Sequence, residues 1–285
     1  MGLFSKNPCT FCGKQVGFIK GKKIKGGEHI CDDCEKKCSS FIDVSKYDKD
    51  FLSDNMEYMK KEDILYKKEF EPLDNSEKKK FKYIENGIIF ADSIGMFEVV
   101  SHKSKKKEYK ELFRYDQILD FDYYAIENVG ASEKPYQESG LMIKLNCPID
   151  ENGFSNIDMR KGKAHPFVSV LKIPFAKDTD DYYSASLAKA HLNELFGRPS
   201  ESLFGSMKQG VIGTGVERAQ IKAGVNSVKA LAGLAKAAVT KDEDAKTAAV
   251  ENLTGSAKEA IEATFNYGAR YTDRADSAEK RAWEE

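Results

Sequence analysis

Cys9-Thr10-Phe11-Cys12 and Cys31-Asp32-Asp33-Cys34 decide how the front of this 285-residue chain folds. The two C-x2-C pairs are separated by 18 residues, inside the window of about 15–20 that a four-cysteine zinc site uses. Each pair offers two thiolates to one ion, and zinc takes four soft ligands tetrahedrally in a closed structural site. The ligand set read from this spacing is Cys9, Cys12, Cys31 and Cys34 around a structural Zn2+. Gly13 follows the first pair, where it is free to turn the backbone back toward the metal. Between the pairs, Val16-Gly17-Phe18-Ile19 and His29-Ile30 read as short strand pieces around a glycine-rich turn at 20–27, the layout of a zinc ribbon. About 40 residues bury little apolar surface, so the metal is expected to supply most of the folding energy. Cys38, four residues after Cys34, competes with it as a ligand, and His29 is a further competitor placed at a strand edge. Two disulfides or four free thiols are the alternative uses of these cysteines, and disulfides need an oxidising compartment.

Composition sets the rest of the frame. Hydrophobic residues are 41 % and charged residues 32 %, which describes a well-charged chain with material for one sizeable core. The net charge of -1 argues against a nucleic-acid or membrane field spread over the whole molecule. Residues 1–6 hold no long apolar run, and Lys6 stands where a myristoylation signal wants serine or threonine. No run reaches the length of a membrane span. The expected location is cytoplasmic and reducing.

Beyond the ribbon, assigned to 1–40, residues 41–80 read as one or two short helices and a linker. Phe51, Leu52, Met56, Met59 and Ile64 recur at helical intervals, and Pro72 opens a polar run at 74–80. Lys78-Lys79-Lys80 reads there as a solvated linker with acidic neighbours. From residue 81 the period becomes two. Strands are expected at 83–85, 87–90, 94–100, 111–115, 118–124, 141–147 and 167–173, the pattern of a small antiparallel sandwich or barrel. Cys147 falls on the apolar face of its strand. A helix follows, capped by Asp180 or Asp181. It carries a stripe of Ala185, Ala188, Leu192, Leu195 and Phe196 and is stopped by Gly197 and Pro199. Seven strands closed by one helix is the order of a pleckstrin-homology-like barrel, assigned to 81–198. Residues 199–285 are an Ala/Gly-rich helical region with narrow seams of small residues at 221–239 and 250–264. The whole reads as a multidomain α+β chain.

The sequence resembles bacterial and phage-associated proteins of unknown function that begin with a zinc ribbon followed by a pleckstrin-homology-like barrel. Cys9, Cys12, Gly13, Lys14, Cys31 and Cys34 carry the resemblance in the ribbon. Residues 84–90 and 112–121 and the helix end Leu192-Asn193-Glu194-Leu195 carry it beyond, so it covers roughly 1–197. The resemblance implies architecture more than activity.

Motifs for catalysis are missing: there is no G-x-S-x-G, H-E-x-x-H or G-x-x-x-x-G-K-[ST]. The glycines at 210–215 follow no predicted strand, and the four histidines have no joining spacing. The expectation is a non-enzymatic adaptor that binds an unidentified protein partner, with self-association or docking through 216–266. Two alternatives stand beside it. Lys14, Lys20, Lys22, Lys23 and Lys25 cluster near the ribbon turn, with Phe11 and Phe18 available to stack on nucleic-acid bases. Lys103, Lys105, Lys106 and Lys107 fill a predicted hairpin loop, where an anionic lipid or membrane surface would be met.

Overall fold

The computed structural model describes residues 7–16, 21–127, 136–148, 163–177, 183–198 and 268–284. The ribbon holds two small antiparallel pairs. β1 (Asn7–Pro8) pairs with β2 (Gln15–Val16), and β3 (Gly21–Lys23) pairs with β4 (His29–Cys31). The strand opposite His29–Cys31 is therefore Gly21–Lys23, which the sequence placed in the turn. The turn itself is tighter, with Gly26 and Gly27 at φ +93° and +89°, backbone that glycine adopts without strain. β4 runs straight into the short helix α1 (Asp32–Glu35).

Of the one or two short helices expected, there is one, α2 (Lys49–Leu65), and it is longer than the sequence suggested. The Asp48 carboxylate accepts from Phe51 N at 3.0 Å and caps its start. A π-turn at Tyr66–Phe70 extends it and buries Phe70. The buried face of α2 carries Leu52, Met59 and Leu65 but also Asn55, Glu62 and Asp63, while Ile64 is turned outward. The polar residues are held inside because the chain opposite offers them unpaired backbone N–H groups. Glu62 accepts from Leu112 N at 3.3 Å, Asp63 from Lys110 N at 3.1 Å, and Asn55 from Ser39 N at 3.0 Å.

The next seven strands make two separate antiparallel sheets. β5 (Lys78–Tyr83), β6 (Asn86–Ala91), β7 (Met96–Val100) and β8 (Leu112–Arg114) form the first in sequence order. β9 (Ile118–Glu127), β10 (Tyr136–Leu145) and β11 (Val170–Lys177) form the second, with β10 in the middle. Among the described residues no hydrogen bonds close the two sheets into a barrel. Lys78, Lys79 and Lys80 belong to β5 rather than to a linker, paired with Ala91, Phe90 and Ile89. A strand was hard to see there because four of its six positions are lysine and only Phe81 and Tyr83 are apolar.

α3 (Tyr183–Phe196) packs over both sheets, with Ala185, Ala188, Leu192, Leu195 and Phe196 buried. Gly197 at φ +62° ends it, and Arg198 N returns to Asn193 O at 2.8 Å. The main core lies between the sheets and under α3, with Phe90, Phe97, Phe113, Phe121, Phe175 and Tyr115 at its centre. β6 is buried on both faces: Ile88 and Phe90 face this core, while Ile89 and Ala91 face a second one. Its unbroken apolar run follows from that. The second core is closed by α4 (Thr272–Glu284), whose Ala275, Ala278 and Ala282 lie against Ile89, Ile94, Met96 and Leu112. Residues 268–284 are thus an integral part of this fold. The expected caps Asp180 and Asp181, the glycines at 210–215 and the seams within 216–266 lie outside the described residues.

Candidate metal centre

The first cysteine pair sits in the tight loop between β1 and β2. Gly13 N donates to Cys9 O at 2.8 Å and Cys9 N to Lys14 O at 2.8 Å. Gly13 takes φ +71° to complete the turn. The second pair straddles the junction of β4 and α1, and Thr10 N donating to His29 O at 2.9 Å draws the two loops together. As a result the Sγ atoms of Cys9, Cys12, Cys31 and Cys34 all lie within 4.8 Å of one another, with Cys12 and Cys31 at 3.6 Å. Zn–S bonds of about 2.3 Å in a tetrahedron put the sulfurs about 3.8 Å apart, so the spacing fits one ion. It does not fit a disulfide, and all four are free thiols. Cys38 stays outside the quartet. It is fully buried with its sulfur 3.8 Å from Cys34 O, and burial pushes its thiol up to about 12. His29 faces Asn7 across the ribbon's edge, 3.4 Å from its side-chain amide.

The electrostatics call for a cation. Burial pushes the Cys9 thiol up, but N–H groups of Cys31, Phe11 and Cys12 aimed at its sulfur outweigh that and bring it down to about 6. Burial raises Cys31, and burial together with the neighbouring thiols raises Cys34 far above the ordinary range. The Cys9 thiolate therefore forms readily, while Cys31 and Cys34 resist joining it. A divalent ion among them reverses that order, because coordination displaces the thiol proton outright.

Around the cluster, Val16, Ile24 and Ile30 form a small apolar core completed by Val44 and Leu52 from outside the first 40 residues. The ribbon therefore leans on the start of α2. It is also tied to the first sheet: Lys107 Nζ donates to Glu35 O at 2.9 Å, and Glu108 N to Lys36 O at 2.9 Å. Below these lies a buried polar hub that sequence spacing does not announce. Ser39 Oγ donates to Glu111 Oε2 at 2.7 Å. Fully buried His165 accepts from Phe167 N at 3.2 Å and Val168 N at 2.9 Å on Nδ1. Its proton is thereby placed on Nε2, which faces Tyr58 at 3.3 Å and Glu111 at 3.5 Å. The cavity beside Tyr58, Glu62, Arg114 and Glu279 is about 90 Å³, room for a few waters.

The other predicted contact residues are dispersed. Lys14 is paired with Asp33 and Lys22 with Glu35, each at 2.7 Å. Lys23 and Lys25 are exposed, Lys20 and Phe18 lie outside the described residues, and Phe11 packs on the ribbon core. Lys103, Lys105 and Lys106 are exposed in the β7–β8 loop, while Lys107 is drawn inward against the ribbon. His191 is buried against Phe90 and 3.3 Å from Asp92. Among the described residues no helix is long and apolar enough to cross a membrane.

The arrangement defines a four-cysteine centre able to hold a metal ion. Residues 7–55 match a family described as a domain of unknown function (DUF4428), a span that takes in the quartet and the first turns of α2. No curated protein and no solved structure matches the chain.

Proposed function

We propose that this is a zinc-stabilised interaction protein without chemistry of its own, an adaptor that works in a reducing, cytoplasmic setting. The observation that carries the reading is the convergence of four sulfurs within 4.8 Å, two loops having been folded to bring them there. Four thiolates complete the tetrahedral shell of zinc and leave no position for a substrate, so the ion's part is to hold the ribbon together. The four-plus-three sheets under α3 have the element order of a pleckstrin-homology-like domain, a scaffold that presents loops and edges to partners. The ribbon's attachment through Glu35 and Lys36 makes it one surface with the β7–β8 loop. Elemental analysis of protein purified without added metal tests the centre: about one zinc per chain is expected, and a chain with no bound metal that unfolds at the same temperature with and without a chelator overturns it. Affinity capture from the native host then looks for the protein partner.

A further inference from the structure

We propose that Lys107 and the Glu108 amide, on the β7–β8 loop, are positioning groups of the metal centre: they anchor the end of α1 and so set how tightly the ion is held. This rests on reading the four cysteines as a zinc site and names what controls its retention.

α1 is the weak member of the ribbon. It is a single turn, Asp32–Glu35, that opens at Cys31 and carries Cys34. Both sulfurs of the second pair thus depend on a helix too short to sustain itself. No side chain caps its start, and its last carbonyls have no following turn to bond. The ribbon's own grips on it are two ion pairs. Lys14 and Asp33 keep side-chain exposures of 65 and 60 %, where such a pair contributes little. Lys22 with Glu35 is better covered but holds only a side chain.

The backbone at the end of α1 is fixed from the sheet instead. Lys107 Nζ donates to Glu35 O at 2.9 Å and Glu108 N to Lys36 O at 2.9 Å. Glu35 O already accepts from Cys38 N at 3.1 Å. Lys107 therefore rescues no orphan carbonyl; it adds a second, charge-assisted bond, with the sign that suits a helix C-terminus. Lys103, Lys105 and Lys106 on the same loop stay exposed, while Lys107 gives up water to turn inward. The loop pulls against a fixed point, since Asp63 on α2 holds Lys110 N at 3.1 Å. Both groups lie outside the span 7–55 that matches the family. With the end of α1 free, Cys34 has to be brought back to the other three sulfurs each time an ion binds. The tether meets that ordering cost in advance.

The test is competition for zinc between the full, zinc-loaded chain and a chromogenic chelator. Lys107→Met keeps the aliphatic stem and removes the donor, and it should weaken zinc binding about tenfold, the lower end of what groups that orient metal ligands contribute. Lys107→Arg returns a cationic donor and should restore most of the loss. Lys106→Met takes the same charge from the same loop and should bind zinc like the parent. A purely structural role would act equally with and without metal. Melting temperatures of the loaded and stripped chains separate the two, and Lys107→Met should lower that of the loaded chain more. The proposal is overturned if Lys107→Met holds zinc like the parent, if Lys106→Met weakens binding as much, or if Lys107→Met lowers both melting temperatures equally. A parent chain that takes up no zinc overturns the metal centre and this proposal with it, whereas the other outcomes leave the centre standing, so the two failures are distinct.

Discussion

Glu62 shows how much a single side chain can be made to carry here. It is 3 % exposed and accepts from Leu112 N, and burial, then the nearby charges of Glu111 and Glu279, push its carboxyl up to about 8. In the unfolded chain it releases its proton near pH 4.3. The native state thus binds a proton that the unfolded state gives up. The stability tied to this group is complete below about pH 4 and erodes as pH rises to about 8, where it levels off. Glu62→Gln keeps an acceptor for Leu112 N and removes the titration. It should leave stability near pH 4 unchanged and raise it by roughly 1–3 kcal/mol at pH 8 and above, measured by urea unfolding across that range. Cys34→Ala acts at the same scale: with three sulfurs left, zinc retention after dialysis should drop well below one per chain and the melting temperature should fall, whereas Cys38→Ala, outside the quartet, should retain the ion.

At the scale of elements, α4 is held by a thin apolar stripe and a dense set of polar contacts. Arg114 makes a two-pronged contact with Asp116 at 2.9 and 2.7 Å and reaches Asp276 and Glu279 at 2.8 Å. Burial opposes the charge on that guanidinium, but the Asp116 and Glu279 carboxylates outweigh it and keep it firmly cationic. Thr272 also bonds Asp116 at 2.8 Å, and the chain's single tryptophan, Trp283, donates to Lys61 O at 3.0 Å. Ala278→Leu should lift the helix from Met96 and Leu112 at a cost of about 1–3 kcal/mol, seen as a red shift and quenching of Trp283 emission before global unfolding. The alanines at 275, 278 and 282 stand at i, i+3 and i+7, so this helix was written in the sequence. Their side chains are too small to mark a buried face by hydrophobicity. The strands and α3 were legible because Phe, Ile and Leu alternate or step cleanly there. The first hairpin was harder: Asn86-Gly87 is the stronger turn pair on propensity, yet the chain turns at Ile84-Glu85. Gly87 is used instead for close approach, since a Cβ there would lie 2.4 Å from Phe81 O.

Across the whole molecule, the cysteine ribbon is fastened to the sheets through Lys107, Glu108 and the Ser39–Glu111 bond, and its small core borrows Val44 and Leu52. Cysteine spacing could reveal the quartet but not this dependence, because the partners lie some seventy positions further along the chain. Removing the ion should therefore lower the melting temperature of the sheets as well as of the ribbon. Circular dichroism at strand wavelengths, followed with and without chelator, checks it; an unchanged strand transition would show the two parts to be independent. The opposite end of the chain has a different consequence. The seat of α4 is built mainly from residues 61–116, while the helix arrives from 268–284, and no strand hydrogen bonds join the two. Cut apart, a fragment stopping at residue 198 and a synthetic peptide of this helix are expected to act as a complementation pair, and the indole carried by the peptide would itself signal their reunion.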